Sequence, residues 1–333
     1  MTRPGAALRA LTTTALLLPL AACGSPAGGA DAGTRSAASA PAAEGFPYTV
    51  TNCGVRTTYT APPRRAVTMN QHVTEIMLAL GLQDRMAGTA YLDDAVLPAH
   101  REAYGTVEVL AEEYPSKEVL LGTAPDFVYG GFASAFDKGE GRDRAALEES
   151  GVRTRLSVEN CTDGPVGLDT LRTEIRQVAR IFGVPGRGEE LIREQQERID
   201  AVTEGLEGAD RPSVFVHDSG EGSALTAGGG GVADRIVSLA GGDNVFSHLG
   251  GAFADVSWEE VVERRPEAVV ILDYGGTSAS AKKKQLLDDP ALAGVPAIRD
   301  ERFAVLPLSS AVLGVRVADA VEDLAAQLHP DAP

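Results

Sequence analysis

Apolar positions along most of the chain fall into two alternating rhythms. Short unbroken runs have the length of buried strands, and longer stretches with apolar residues three and four apart have the period of a helix. The pattern predicts a strand over Ala66 to Met69, a loop at Asn70-Gln71-His72, and a helix carrying Ile76, Met77 and Leu80 on one face until Gly81 stops it. Met86 to Ala90 reads as the next short strand. A helix over Asp143 to Ser150 and a strand over Val152 to Val158 follow a loop at Gly130 to Gly141. Leu168, Leu171, Ile175, Val178 and Phe182 then mark an amphipathic helix. The second half restarts with a strand at Pro212 to Val216, a helix at Val232 to Ala240, a strand at Phe303 to Leu306 and a last helix from Val315 to Leu328.

One unit occurs twice. Ser116-Lys117-Glu118 opens a short helix, Pro125-Asp126 closes it, and Phe127-Val128-Tyr129 continues as a strand. Shifted by 141 positions, Ser257-Trp258-Glu259 opens, Pro266-Glu267 closes, and Ala268 to Leu272 is the strand. Alternating strands and helices imply parallel sheets with helices on their faces. The repeated unit implies two similar lobes, which leave a cleft between them. Between the halves, Arg187 to Glu207 carries a narrow apolar stripe (Leu191, Ile192, Ile199, Val202, Leu206) among many charges, with Pro185-Gly186 read as the stop of the preceding helix. A single helix about 30 Å long fits a rigid spacer better than a hinge. The expected fold is α/β, two Rossmann-like lobes with parallel sheets joined by one long helix. The lobes span 45–185 and 209–333, with the link at 186–208.

Composition narrows the partners. With 333 residues the chain can hold two lobes with their own cores, and a net charge of −17 argues against nucleic acid and anionic membrane surfaces. Arg3 and Arg9 precede an apolar stretch, Leu11 to Leu20, too short to remain as a spanning helix. It ends in Leu20-Ala21-Ala22-Cys23-Gly24, which resembles the bacterial lipobox. That makes residues 1–23 a lipoprotein signal peptide, Cys23 the lipidated residue, and the small-residue segment 24–44 a tether too poor in apolar surface to fold. Export to an oxidising compartment then favours a bridge between the two remaining cysteines, Cys53 and Cys161, over two buried thiols. Such a bridge contributes about 4 kcal/mol in the chain-entropy model.

The order of these stretches carries a resemblance. Val67-Thr68-Met69-Asn70 with Glu75 to Gly81, the two Ser-x-Glu units, Ile236 to Val245 with its Ala-Gly-Gly-Asp-Asn-Val, and Leu286 to Pro290 running on to Phe303 to Pro307 resemble the substrate-binding lipoproteins of ABC importers for ferric siderophores, haem and cobalamin. The likeness covers residues 46 to 329. The Met69-Asn70-Gln71 opening and Ala90-Tyr91-Leu92-Asp93 are similar to an actinobacterial subgroup labelled as siderophore binders or as binders of an F420 precursor. The resemblance implies an extracytoplasmic, lipid-anchored, monomeric receptor, not an enzyme, that serves a permease and its ATPase. It implies a ferric siderophore as first-ranked ligand, then an F420 precursor, cobalamin or haem. No cofactor is expected, iron entering only within a bound chelate. It also implies that Glu118 and Glu259, one per lobe, dock on permease arginines; an acidic first-turn residue favoured by the helix dipole is the alternative.

Ligands of open α/β sheets lie beyond the carboxyl ends of the strands. Those ends present Asn70, Gln71, His72, Tyr91, Tyr129, Phe132, His217 and Tyr274, with core packing the alternative for one of the two related tyrosines, Tyr129 and Tyr274; the family's cleft adds an aromatic at Phe253, with Tyr114 a looser counterpart. Arg316, near the start of the last helix, is the expected anion contact, with a surface arginine capping a neighbouring carboxylate as the alternative. His72 and His217 stand at matching strand ends and could face each other, but a lone loop histidine more often donates a hydrogen bond, so no metal site is expected. Gly228 to Gly231 reads as a turn rather than a phosphate cradle. His217-Asp218-Ser219 has hydrolase residue types, yet neighbours in sequence cannot face one another as a triad does.

Overall fold

A computed structural model describes residues 44–331; the expected signal peptide, Cys23 and nearly all of the tether lie outside the described residues. A two-stranded antiparallel hairpin opens the fold, β1 (Tyr48–Asn52) and β2 (Val55–Tyr59). Its turn is Cys53-Gly54, both with positive φ (48° and 79°), the conformation that matches strand twist in a tight hairpin.

The first lobe is a parallel five-stranded sheet. Its strands are β3 (Ala66–Met69), β4 (Met86–Ala90), β5 (Val109–Ala111), β6 (Phe127–Gly130) and β7 (Arg153–Leu156), in spatial order β5-β4-β3-β6-β7. The chain starts in the middle, winds outward through β4 and β5, then crosses to β6. The switch point, where ligands of doubly wound sheets bind, is therefore at the ends of β3 and β6.

The second lobe repeats this plan with a difference. Its strands are β8 (Ser213–Ser219), β9 (Ala224–Ala227), β10 (Asp243–Asn244), β11 (Phe253–Val256), β12 (Ala268–Asp273) and β13 (Phe303–Pro307). The path runs β11-β9-β8-β12-β13, with β10 also pairing β8. β12 is parallel to β8 and β13, but β9 is antiparallel to β8 and β11. The expected parallel sheet is thus mixed at one edge, because the connection from Ser219 to Ala224 is too short for a parallel crossover.

The repeated unit occupies equivalent places in the two sheets. Ser116 and Ser257 cap the helices Lys117–Gly122 and Trp258–Arg264, accepting from the amides of Val119 and Glu260. Each helix is followed by a residue with positive φ directly before the proline, Ala124 (48°) and Arg265 (51°). The acidic residue after the proline clamps the start of the central strand. Asp126 accepts from the amides of Arg64 and Arg65 at 2.8 and 2.9 Å, and Glu267 accepts from the amide and hydroxyl of Ser213 at 2.8 and 3.0 Å.

The linking helix runs Pro185–Gly205, 21 residues. Pro185 is its first turn rather than the end of its predecessor; proline's fixed φ and missing N–H suit that position. The helix before it, Leu168–Ile181, stops at Phe182 and Gly183, whose φ is 72°. Helices of both lobes pack on the link, Leu168–Ile181 on one side and Val317–Leu328 on the other. One apolar cluster joins Val73, Ile76 and Met77 of the first lobe, Ile192 and Ile199 of the link, and Val317, Val321 and Leu324 of the second. The lobes share a core. Among the described residues, no helix is long and apolar enough to cross a membrane.

Candidate functional site

At the first switch point, Asn70 holds a positive φ of 94° directly ahead of the helix Gln71–Ala79. Its side chain accounts for that conformation. Oδ1 accepts from the amides of Gly131 (3.2 Å) and Phe132 (3.3 Å), and the amide group bonds the Tyr114 hydroxyl at 3.0 Å. Asn70 is fully buried, as are Gln71 and His72. Asn70 shapes the loop that carries Phe132 and is not itself exposed to a ligand. Gln71 donates to Glu75 at 3.0 Å. Tyr91 packs edge-on against Tyr114, with ring centroids 4.5 Å apart.

His72 lies between glycines of both lobes. A Cβ on Gly131 would come within 2.3 Å of its Cε1, and one on Gly314 within 3.0 Å of its Cβ. Its Nε2 is 3.3 Å from a carboxylate oxygen of Glu159, without the alignment of a hydrogen bond. His217 has other neighbours, the rings of Phe215 and Trp258. Burial, and secondarily Lys282, pushes its imidazole down to about 4, so it is neutral at pH 7. The two histidines are placed in separate environments. Among the described residues no three His, Cys, Asp or Glu side chains group as a metal site.

Two expected ligand contacts are structural. Tyr129 has no exposed surface and donates its hydroxyl to Glu174, which also takes two hydrogen bonds from Arg155 (3.0 and 2.8 Å) and one from the amide of Val158 (3.0 Å). Burial, reinforced by Glu174, holds the phenol well above its ordinary value. Tyr129 thus anchors the end of β7 and does not face the cleft. Arg316 is likewise committed. Nε and one terminal nitrogen grip both oxygens of Glu75 at 2.7 and 2.6 Å, and the remaining donors reach the Ala95 carbonyl, the Ser309 hydroxyl and Asp94. Burial lowers the guanidinium's proton affinity, but the Glu75 contacts outweigh this and leave it raised. All five N–H groups are used, so Arg316 ties the second lobe to the first and has none left for an anion.

At the second switch point Tyr274 is half-buried and donates to Asp218, with Lys282 4.3 Å above its ring. Burial, then Asp218, pushes the phenol up to about 12. The glycine run is a turn: the amides of Gly228, Gly229 and Gly230 are spent on carbonyls of Ala252, Leu249 and Gly251. None of these three points at an anion.

Between the lobes the cleft holds an open-sided cavity of about 230 Å³. Phe132, Glu159 and Asn160 wall it from the first lobe, and Val232, Phe253 and Val312 are among the residues that wall it from the second. Of the expected ligand contacts, Phe132 and Phe253 are the two that line it. Glu159 and Asn160 had not been anticipated. They ride on the short turn Val158–Cys161, where Asn160 bonds the Gly131 carbonyl (2.8 Å) and the Ala133 amide (3.2 Å). Hollows of about 510 and 1030 Å³ lie elsewhere, one beside the linking helix at Arg172 and Arg235, the other at Arg211 and Arg302. Neither is at the strand ends where the sheet topology places ligands.

Residues 67–309 match the periplasmic binding protein family. The chain belongs to that family. It is 24% identical over 233 residues to a vitamin B12-binding protein of Vibrio campbellii, covering 69% of this chain and 78% of that one. An uncharacterised ABC transporter substrate-binding lipoprotein of Bacillus subtilis is 23% identical over 331 residues, 97% of this chain and 98% of its own. An ABC-type Fe3+-hydroxamate transport protein of Saccharomonospora viridis superposes with a TM-score of 0.72 at 25% identity, covering 85% of this chain and 99% of that one. The family binds solutes for ABC importers and is not an enzyme family.

For a binding protein of this family two further features stand out. Glu118 and Glu259 are exposed in the first turns of their capped helices and form no ion pair among the described residues. Each helix precedes the strand beside the central one, β6 or β12, and runs back along it, which puts its first turn at the carboxyl edge of its sheet. Cys53 and Cys161 are joined, with Cα atoms 5.2 Å apart. The bridge ties the hairpin turn to the cleft wall, beside Asn52, which exchanges two hydrogen bonds with the backbone of Leu156.

Proposed function

We propose that the protein is a lipid-anchored receptor that captures a ferric siderophore in the cleft between its lobes and presents it to an ABC permease through Glu118 and Glu259. The observation that carries the ligand side of this reading is the cavity wall. Phe132 and Phe253 offer an aromatic face from each lobe, and Asn160 and Glu159 supply polar atoms beside them. That combination suits a chelate with an apolar exterior and a few amide groups. The Fe3+-hydroxamate relative supports the same ligand class. The vitamin B12-binding relative favours a second reading, a corrinoid.

Calorimetric titration with ferric and iron-free siderophores, cobalamin, haem and deazaflavin phosphates tests this. Tight binding of a ferric chelate and none of its iron-free form is expected. Binding of cobalamin with silence from every chelate would refute the siderophore assignment and install the second reading. For the anchor, Cys23→Ala should release the protein from the membrane fraction; retention there would refute lipidation.

A further inference from the structure

We infer that the cleft is built for a chelate of zero or positive charge, so that among ferric siderophores it takes hydroxamates and refuses catecholates, and that Glu159 sets this preference. The inference rests on the siderophore reading and adds a charge to it. The residues lining the cavity include one carboxylate, Glu159, and no lysine or arginine. Four cationic side chains of the two lobes are committed elsewhere, and beside Glu159 itself stands the buried imidazole of His72, its Nε2 3.3 Å from Oε1. Arg316 holds Glu75, Asp94, Ser309 and the Ala95 carbonyl. Arg142 donates to the Ala135 carbonyl and lies over the Tyr114 ring, 5.3 Å from its centroid. Arg155 is locked to Glu174, and Lys282 to the Leu272 carbonyl.

The backbone that carries Glu159 is held in place. Its turn is fixed on one side by the Cys161 bridge and on the other by the Val158 amide bonded to Glu174, while Asn160 pins the middle. Ser157 donates to Oε1 at a long 3.3 Å, the oxygen that His72 also approaches, and Oε2 has no hydrogen-bond partner among the described residues. The carboxylate is therefore partly buried and close to any occupant. At an effective dielectric near 20, a unit charge about 7 Å away alters affinity by more than tenfold per unit of ligand charge. The chemistry of the chelators makes this selective. Hydroxamate groups lose one proton each, so a trihydroxamate cancels the ferric charge and becomes cationic when it carries an ammonium. Catecholates lose two protons each and leave a ferric complex strongly anionic.

The test titrates the purified full-length protein, wild type, Glu159→Gln and Glu159→Asp, with three probes. These are a ferric trihydroxamate bearing an ammonium, a neutral cyclic ferric trihydroxamate and a ferric tris-catecholate. The wild type and Glu159→Asp should prefer both hydroxamates to the triply anionic catecholate by on the order of a thousandfold or more, and Glu159→Gln should narrow the gap by at least about tenfold. Unchanged urea midpoints would show that the variants remain folded. Equal affinity of the wild type for catecholate and hydroxamate would overturn the inference while leaving the siderophore reading intact. An unchanged ratio in folded Glu159→Gln would overturn the role of Glu159. Failure of all three chelates to bind would refute the siderophore reading and this inference with it.

Discussion

Arg316 offers the sharpest test of how the two lobes are held. In Arg316→Met the side-chain volume is kept roughly constant, but Glu75, 1% exposed, loses both of its guanidinium bonds. Breaking a buried ion pair by removing one partner costs about 3 to 5 kcal/mol, because the surviving charge stays desolvated. Glu75 retains the Gln71 amide and the Leu97 N–H, both at 3.0 Å, which places the expected loss near the lower end, about 3 kcal/mol. Urea denaturation followed by circular dichroism reads it directly as a lower midpoint at unchanged slope. The double-mutant cycle with Glu75→Gln isolates the pair: once the carboxylate is neutral, removing Arg316 should cost at least about 1 kcal/mol less than it does alone. A loss under about 1 kcal/mol, the range of an exposed ion pair, or zero coupling in the cycle would refute the buried inter-lobe clamp. Undiminished stability with abolished ligand binding would return Arg316 to the role of anion contact.

Three further outcomes follow from the geometry. His217, held at about 4 against an ordinary 6.5, stays neutral in the folded protein while the unfolded chain takes up a proton; stability is thus full above pH 6.5 and declines toward pH 4, by up to about 3 kcal/mol, and a difference between wild-type and His217→Leu urea midpoints that stays constant over that window would refute the assignment. Cys53→Ser with Cys161→Ser opens a loop spanning 108 positions and should cost about 4 to 5 kcal/mol, together with weaker ligand binding as the Glu159 turn loosens; unchanged binding in a still-folded variant would separate the bridge from the cleft. Glu118→Ala with Glu259→Ala should abolish uptake in cells at unchanged ligand affinity, and a loss of affinity would move these residues out of the docking role.

What could be read from the sequence follows physical lines. β3 and β12 are buried on both faces, so their apolar runs stood out, and the repeated Ser-x-Glu unit marked equivalent places in the two sheets. The hairpin at Tyr48 to Tyr59 went unread because polar Thr and Arg alternate through it and its turn residue is the bridging Cys53 rather than the usual Asn or Asp. Pro185 reads as a stop in the sequence because a proline inside a helix is one; the fold shows it to be a start. The cleft was harder. Arg316 meets Glu75 across 241 positions, and no local pattern reports such a pairing. Tyr129 and Tyr274 stand at the ends of equivalent strands, yet Tyr129 alone has a Glu174 behind it. Glu159 and Asn160 sit in an unremarkable polar stretch next to a cysteine, and only the closure of the bridge brings that stretch to the cleft.

The shared core bears on how such a receptor signals that it is loaded. Val73 and Ile76 pack in one apolar cluster with Val317 and Val321 through the linking helix, and the Arg316 clamp closes the same seam. Opening the lobes by a wide hinge would expose that cluster, and apolar burial is worth about 25 cal/mol per Å². A large motion would cost more than small-ligand binding can return. Ligand capture must then act on side chains and loops at the cleft, leaving Glu118 and Glu259 at a nearly fixed separation. Spin labels on Glu118→Cys and Glu259→Cys, placed with the native bridge intact, should report a distance change of no more than about 1 to 2 Å on saturation with ligand. A shift of several ångströms would show that the core parts during binding, and the rigid-body argument would fail with it.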